Sequence, residues 1–109
     1  MDLRNVSISH GTLRWQDLVP AFLNALSDID EEKFLAVVFP NRMPSGYDFA
    51  HEDSDYWHSE DCMLALDDLL NALDECAPEG YVFGAHPGDG SDFGFWPDYT
   101  DYYAEAVLN

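Results

Sequence analysis

Val6 and Ile8 alternate with Ser7 and Ser9 ahead of Gly11, the period of two that marks a short strand closed by a turn. The period then lengthens. In WQDLVPAFLNALSDI, Trp15, Leu18, Phe22, Ala25, Leu26 and Ile29 fall on one helical face and Pro20 on the other. Two starts are open to this helix. With Asp17 as N-cap, Pro20 sits in the first turn, where a missing N–H is tolerated. With a start near Arg14, Pro20 lies inside and should bend the helix. Asp30-Glu31-Glu32 places acids at a helix's positive end. The KFLAVVF run that follows fits a short helix or a buried strand, stopped by Pro40.

From Asn41 to Ser59 no period emerges, and the stretch reads as a long acidic and aromatic loop. Loops of such length usually have a function or their own structure. Ser59 to Cys76, SEDCMLALDDLLNALDEC, restores the helical period under a serine cap, and Ala77-Pro78-Glu79-Gly80 closes it. Tyr81, Phe83 and Ala85 then alternate, as do Phe93 and Phe95, around PGDGS: a C-terminal hairpin. Gly84 and Gly94 mark places where a helix or ring approaches the sheet. After Pro97, DYTDYYAEAVLN fits a short helix or an arm. The sum is one α+β domain over residues 1–109, with two or three helices packed on a small, mostly antiparallel sheet.

The Ser59–Cys76 helix has two faces. Cys62, Leu66, Leu69, Leu70, Leu73 and Cys76 gather on one, with Met63 at its edge. Opposite lie Glu60 and Asp61, Asp67 and Asp68, then Asp74 and Glu75, pairs ~10.5 Å apart along the axis. No lysine or arginine is expected to offset them, and Leu64 falls inside the acidic stripe.

Charge makes that face unusual. The chain has 22 acidic and 4 basic residues, a net charge of −18. Arg4, Arg14, Lys33 and Arg42 all lie in the first 43 positions, where six acids leave a net of −2; the other 66 residues hold sixteen acids and no base. Such a surface repels nucleic-acid phosphates and anionic membranes, which need cations, and complements a basic protein. Fifteen per cent aromatic content separates the chain from disordered acidic segments. No secretory signal or bilayer-spanning run is visible. Cys62 and Cys76, ~21 Å apart on one helix, are too distant for a disulfide. They read as small buried hydrophobes suited to a reducing cytoplasm.

Catalytic and metal chemistry find little purchase. His10, His51, His58 and His86 accompany many carboxylates, but His86–Asp92 lacks the acid spacing and closing glutamate of a calcium loop. Asp89 and Gly90 there read as turn residues. His51 and His58 are seven apart, without the helical i, i+4 spacing of a zinc pair. Adjacent exposed acids do not supply the raised pKa that general acid catalysis needs. GAHPGDGSDFG has no lysine for a phosphate, and a cysteine facing the core is a poor nucleophile. The expectation is a non-enzyme without metal or cofactor. Its expected partner-binding surface comprises Asp48, Glu52, Asp53, Asp55, Glu60, Asp61, Leu64, Asp67, Asp68, Asp74 and Glu75. A homodimer or other interaction module using Tyr47, Phe49, Trp57 and Tyr99 to Tyr103 is the alternative.

In size and charge the chain resembles the small acidic DNA-mimic proteins of phages and mobile elements, of anti-restriction and anti-CRISPR type. QDLVPAFLNAL (Gln16 to Leu26) and APEGYVFGAHPGDGSDFGFW (Ala77 to Trp96) are also similar to uncharacterised short phage and plasmid proteins. The first resemblance implies carboxylates standing in for phosphates in the basic channel of a CRISPR effector, restriction enzyme or other nuclease. It places the chain in the cytoplasm of a bacterial host. The helix alone is too sparse for this, since duplex DNA carries one charge per ~1.7 Å of axis. Acids of the 48–55 stretch or a second subunit must fill the gaps.

Overall fold

A computed structural model describes residues 2–38 and 43–98. Among the described residues, four α-helices stand with a three-stranded antiparallel sheet, an α+β fold. Strand β1 is Ser7–Ser9, and Gly11 takes the left-handed φ of +80° that turns the chain out of it.

Helix α1 spans Trp15–Ile29. Its N-cap is Arg14, so Asp17 is its third residue and Pro20 lies inside, unable to donate to the Gln16 carbonyl. Asp17 instead ties the entry together: its carboxylate accepts from Thr12 Oγ1 at 2.6 Å and Arg14 Nε at 2.8 Å. Leu18, Val19, Phe22, Leu23 and Leu26 are its buried stripe.

Helix α2, Glu31–Val38, resolves the choice at KFLAVVF in favour of helix as far as Val38. Asp30 begins it, accepting from the Lys33 N–H at 3.1 Å. Phe39, Pro40 and Arg42 lie outside the described residues.

The expected loop from 41 to 59 is mostly structured. Helix α3, Gly46–Ala50, is followed by a 3-10 turn at Asp55–His58. Two serines explain this. Ser45 and Asp48 form a reciprocal capping box, and Ser54 accepts from the Tyr56 N–H. Trp57 plugs the segment into the core at 3% exposure, its indole N–H donating to the carbonyls of Asp48 and His51. Capping boxes and 3-10 turns are too short to leave a hydrophobic period.

Helix α4, Glu60–Glu75, is capped by Ser59, which accepts from the Cys62 N–H. Cys62, Ala65, Leu69 and Leu73 are fully buried and Ala72 is buried, while Leu66, Leu70 and Cys76 are half-buried against the core. Both thiols are unbridged, and burial pushes the Cys62 thiol up to about 11.

Strands β2 (Tyr81–His86) and β3 (Asp89–Pro97) make the hairpin, with β3 central in the order β1-β3-β2. The turn is Pro87-Gly88 alone. Asp89, Gly90 and Ser91 belong to β3, where the register slips between Ala85 and His86. Asp89 works locally, accepting from the Ser91 N–H and hydroxyl. Phe83 and Phe95 pair across the strands and meet Phe22 of α1 edge-on at Phe83, 5.2 Å between centroids. Of the two expected close approaches, only Gly94 is one. A Cβ there would meet the Val6 carbonyl oxygen, Trp96 Cζ2 at 2.8 Å and Ser7 Cα at 2.9 Å, whereas Gly84 has open space. The stretch after Asp98, with Tyr99 to Tyr103, lies outside the described residues.

Candidate protein-binding surface

Members of each acidic pair on α4 are ~100° apart around the helix, so the pairs separate into two rows. Asp61, Asp68 and Glu75 form the row nearer α2. Asp68 and Glu75 line a groove there with Lys33, Ala36, Val37, Asn71 and Ala72. Glu60, Asp67 and Asp74 form the other row, all exposed. It ends against the sheet, where Asp74 Oδ1 accepts from the Phe83 N–H at 3.0 Å.

Between the rows, Leu64 is 49% exposed; Met63, 47% exposed, lies on the far side of the Glu60–Asp67–Asp74 row. The sequence placed Leu64 correctly but put Met63 on the margin of the core face. That margin lies beyond the leucines that α4 buries, so Met63 joins the outer surface.

Two further corrections concern charge. Lys33 Nζ meets Glu75 Oε2 at 2.8 Å, so one base does offset an α4 acid, and it comes from α2. Only the packing of the two helices brings these residues together, which is why sequence spacing did not reveal the pair. Asp48 is likewise engaged: its carboxylate accepts from the Ser54 hydroxyl and from the N–H and hydroxyl of Ser45. These bonds, Ser54's foremost, hold the Asp48 carboxyl below its usual range. Asp48 and Asp74 are thus structural acceptors as well as charges.

Glu52 stands 3.5 Å from Arg14 Nη2, while its backbone oxygen accepts from Gln16 Nε2. Asp53 and Asp55 are exposed beside the 3-10 turn that leads into α4. Asp53, Asp55, Glu60 and Asp67 make no side-chain hydrogen bond or ion pair among the described residues. The cations show the reverse. Arg4 pairs with Asp2 at 2.9 Å, Arg14 with Asp17 at 2.8 Å and Lys33 with Glu75, so each described lysine or arginine is neutralised within the chain.

The aromatic alternative changes too. Trp57 is a core residue and offers no surface. Tyr47, 65% exposed and stacked on His51, and Phe49, 48% exposed, remain outside.

Among the described residues, no three of His, Cys, Asp and Glu come together to hold a metal ion. His86 packs edge-on against Trp96, and its Nδ1 accepts from the Gly88 N–H. No described helix is long and apolar enough to cross a membrane. No protein-family model, curated protein or solved structure matches this chain.

Proposed function

We propose that this chain is a non-enzymatic, acidic protein-binding inhibitor that occupies the basic DNA- or RNA-binding site of a host defence or DNA-processing protein. One observation carries the reading: every described cation is neutralised by an acid of its own chain, while Asp53, Asp55, Glu60 and Asp67 stay exposed and unpaired. Ordinary soluble surfaces intersperse both signs. A rigid helix presenting one sign holds its carboxylates in place, as a phosphate backbone holds its charges. Met63 and Leu64 add apolar contact area within that field, the pattern of an interface anchor.

The charge rows remain wider than a duplex. Asp53 and Asp55 extend the negative surface past the N-terminus of α4, so the mimic is a patch joining the 3-10 turn to the helix.

Capture from a bacterial lysate, followed by competition, tests this. A captured protein should release double-stranded DNA or RNA as the chain is added, with association that is fast and weakens with salt. A captured protein that binds nucleic acid equally well with the chain present would overturn the reading. The second reading, an interaction or homodimer surface, draws on the exposure of Tyr47 and Phe49. It requires Phe49→Ala to weaken association more than charge reversal does.

A further inference from the structure

The groove between α2 and α4 has a chemistry that the outer acidic face lacks. It is an open cleft of about 510 Å³. Ala36 and Ala72 give it small walls and Val37 an apolar, buried floor, with Asp68, Asn71 and Glu75 along the α4 side. Its two carboxylates are one heptad apart, ~10.5 Å along the axis, with Asn71 one turn after Asp68. Glu75 already holds an ammonium, Lys33 Nζ at 2.8 Å. Asp68, half-buried in the same cleft, has no ion pair or side-chain hydrogen bond among the described residues.

We infer that this groove receives an arginine side chain from the basic partner, with the guanidinium on Asp68. The proposal deepens the inhibitor reading and rests on it for the existence of a cationic partner. Charge complementarity selects the cation. Shape selects arginine: its aliphatic stem lies along Ala36, Ala72 and Val37, and its planar fork donates to the Asp68 carboxylate and the Asn71 amide oxygen together. The cleft is roomy enough to admit part of the arginine's backbone as well. The Lys33–Glu75 ion pair fills the far end, where the Glu75 carboxylate is already occupied by an ammonium, and leaves the Asp68 end for the arginine.

Nuclear magnetic resonance titration with Nα-acetyl-arginine amide tests this on the whole chain, without the partner. Amide shifts should concentrate on Ala36, Asp68, Asn71 and Ala72. Asp68→Asn should weaken binding about fivefold, whereas Glu79→Gln, an equal charge change at an exposed site outside the groove, should leave it unchanged. Shifts spread evenly over the acidic surface, equal effects of the two substitutions, or equal binding of uncharged Nα-acetyl-citrulline amide would each overturn the proposal. Because the probe is a single amino acid, failure here leaves the competition experiment standing, and failure of that competition leaves this titration standing.

Discussion

Asp74, near the C-terminal end of α4, accepts a 3.0 Å hydrogen bond from the backbone N–H of Phe83 on β2. Strand β2 is an edge, and Phe83 is the residue whose ring meets α1 from the sheet. One carboxylate therefore blunts an open strand edge and fixes the helix end on the hairpin. A charge that looks like part of a binding face is also a fold contact.

Asp74→Ala removes that acceptor and leaves a strand N–H without its partner. Stability should fall by about 1–2 kcal/mol, measured by urea unfolding, and the Phe83 amide should exchange faster. Asp74→Asn keeps an acceptor oxygen and should lose less. An alanine variant with wild-type stability would contradict the role given to this bond.

Gly94 and Gly84 face each other across β2 and β3 yet should respond oppositely to alanine. At Gly94 the added Cβ collides with the β1 backbone and the Trp96 ring, so Gly94→Ala should cost at least about 2 kcal/mol and loosen β1. At Gly84 it enters open space, and thermal unfolding should barely shift. Similar losses at the two sites would contradict the close packing of Trp96 and β1 over Gly94.

Acid should release the 45–58 segment ahead of the core. The Asp48 carboxyl lies below its ordinary 3.8 because the Ser54 and Ser45 bonds favour its charged form. A depressed folded pKa contributes stability that is complete above the unfolded value and is lost as pH falls through the folded one. Loss is therefore expected below about pH 4, read as a change in Trp57 emission, since the Trp57 indole bonds the Asp48 carbonyl. Asp48→Asn should show the altered emission already at neutral pH. A pH-independent Trp57 signal in the wild type would contradict it.

Trp57→Ala should act on folding. A fully buried tryptophan with two hydrogen bonds costs about 3–5 kcal/mol on truncation, whereas exposed Phe49→Ala should shift the urea midpoint little. A stable Trp57→Ala protein would return that residue to the surface.

Legibility followed the length of each signal. Helix α4, its serine cap and its leucine core were readable because sixteen residues repeat one period, and α1 was readable from its apolar face but not at its start, which stayed open between Asp17 and Arg14. The hairpin was readable from its aromatic alternation. The segment holding α3 and the 3-10 turn was not, because Ser45–Asp48 and Ser54–Tyr56 are contacts over two or three residues with no period to detect. The acidic surface was legible as composition. Its sorting was not: Lys33–Glu75 and Asp74–Phe83 depend on how α2 and β2 pack against α4, which no spacing in the chain encodes. Charge reversal of Asp74 or Glu75 would therefore mix loss of fold contacts with loss of binding.

The most direct measurement uses the acids with no internal partner. Asp53→Lys, Glu60→Lys and Asp67→Lys, combined in one variant, should match the wild type in circular dichroism. It should then fail to displace double-stranded DNA from the captured partner, while the wild type displaces it strongly at low salt and weakly at high salt. Full displacement by the triple variant, or wild-type displacement indifferent to salt, would contradict the central claim that this surface stands in for nucleic acid.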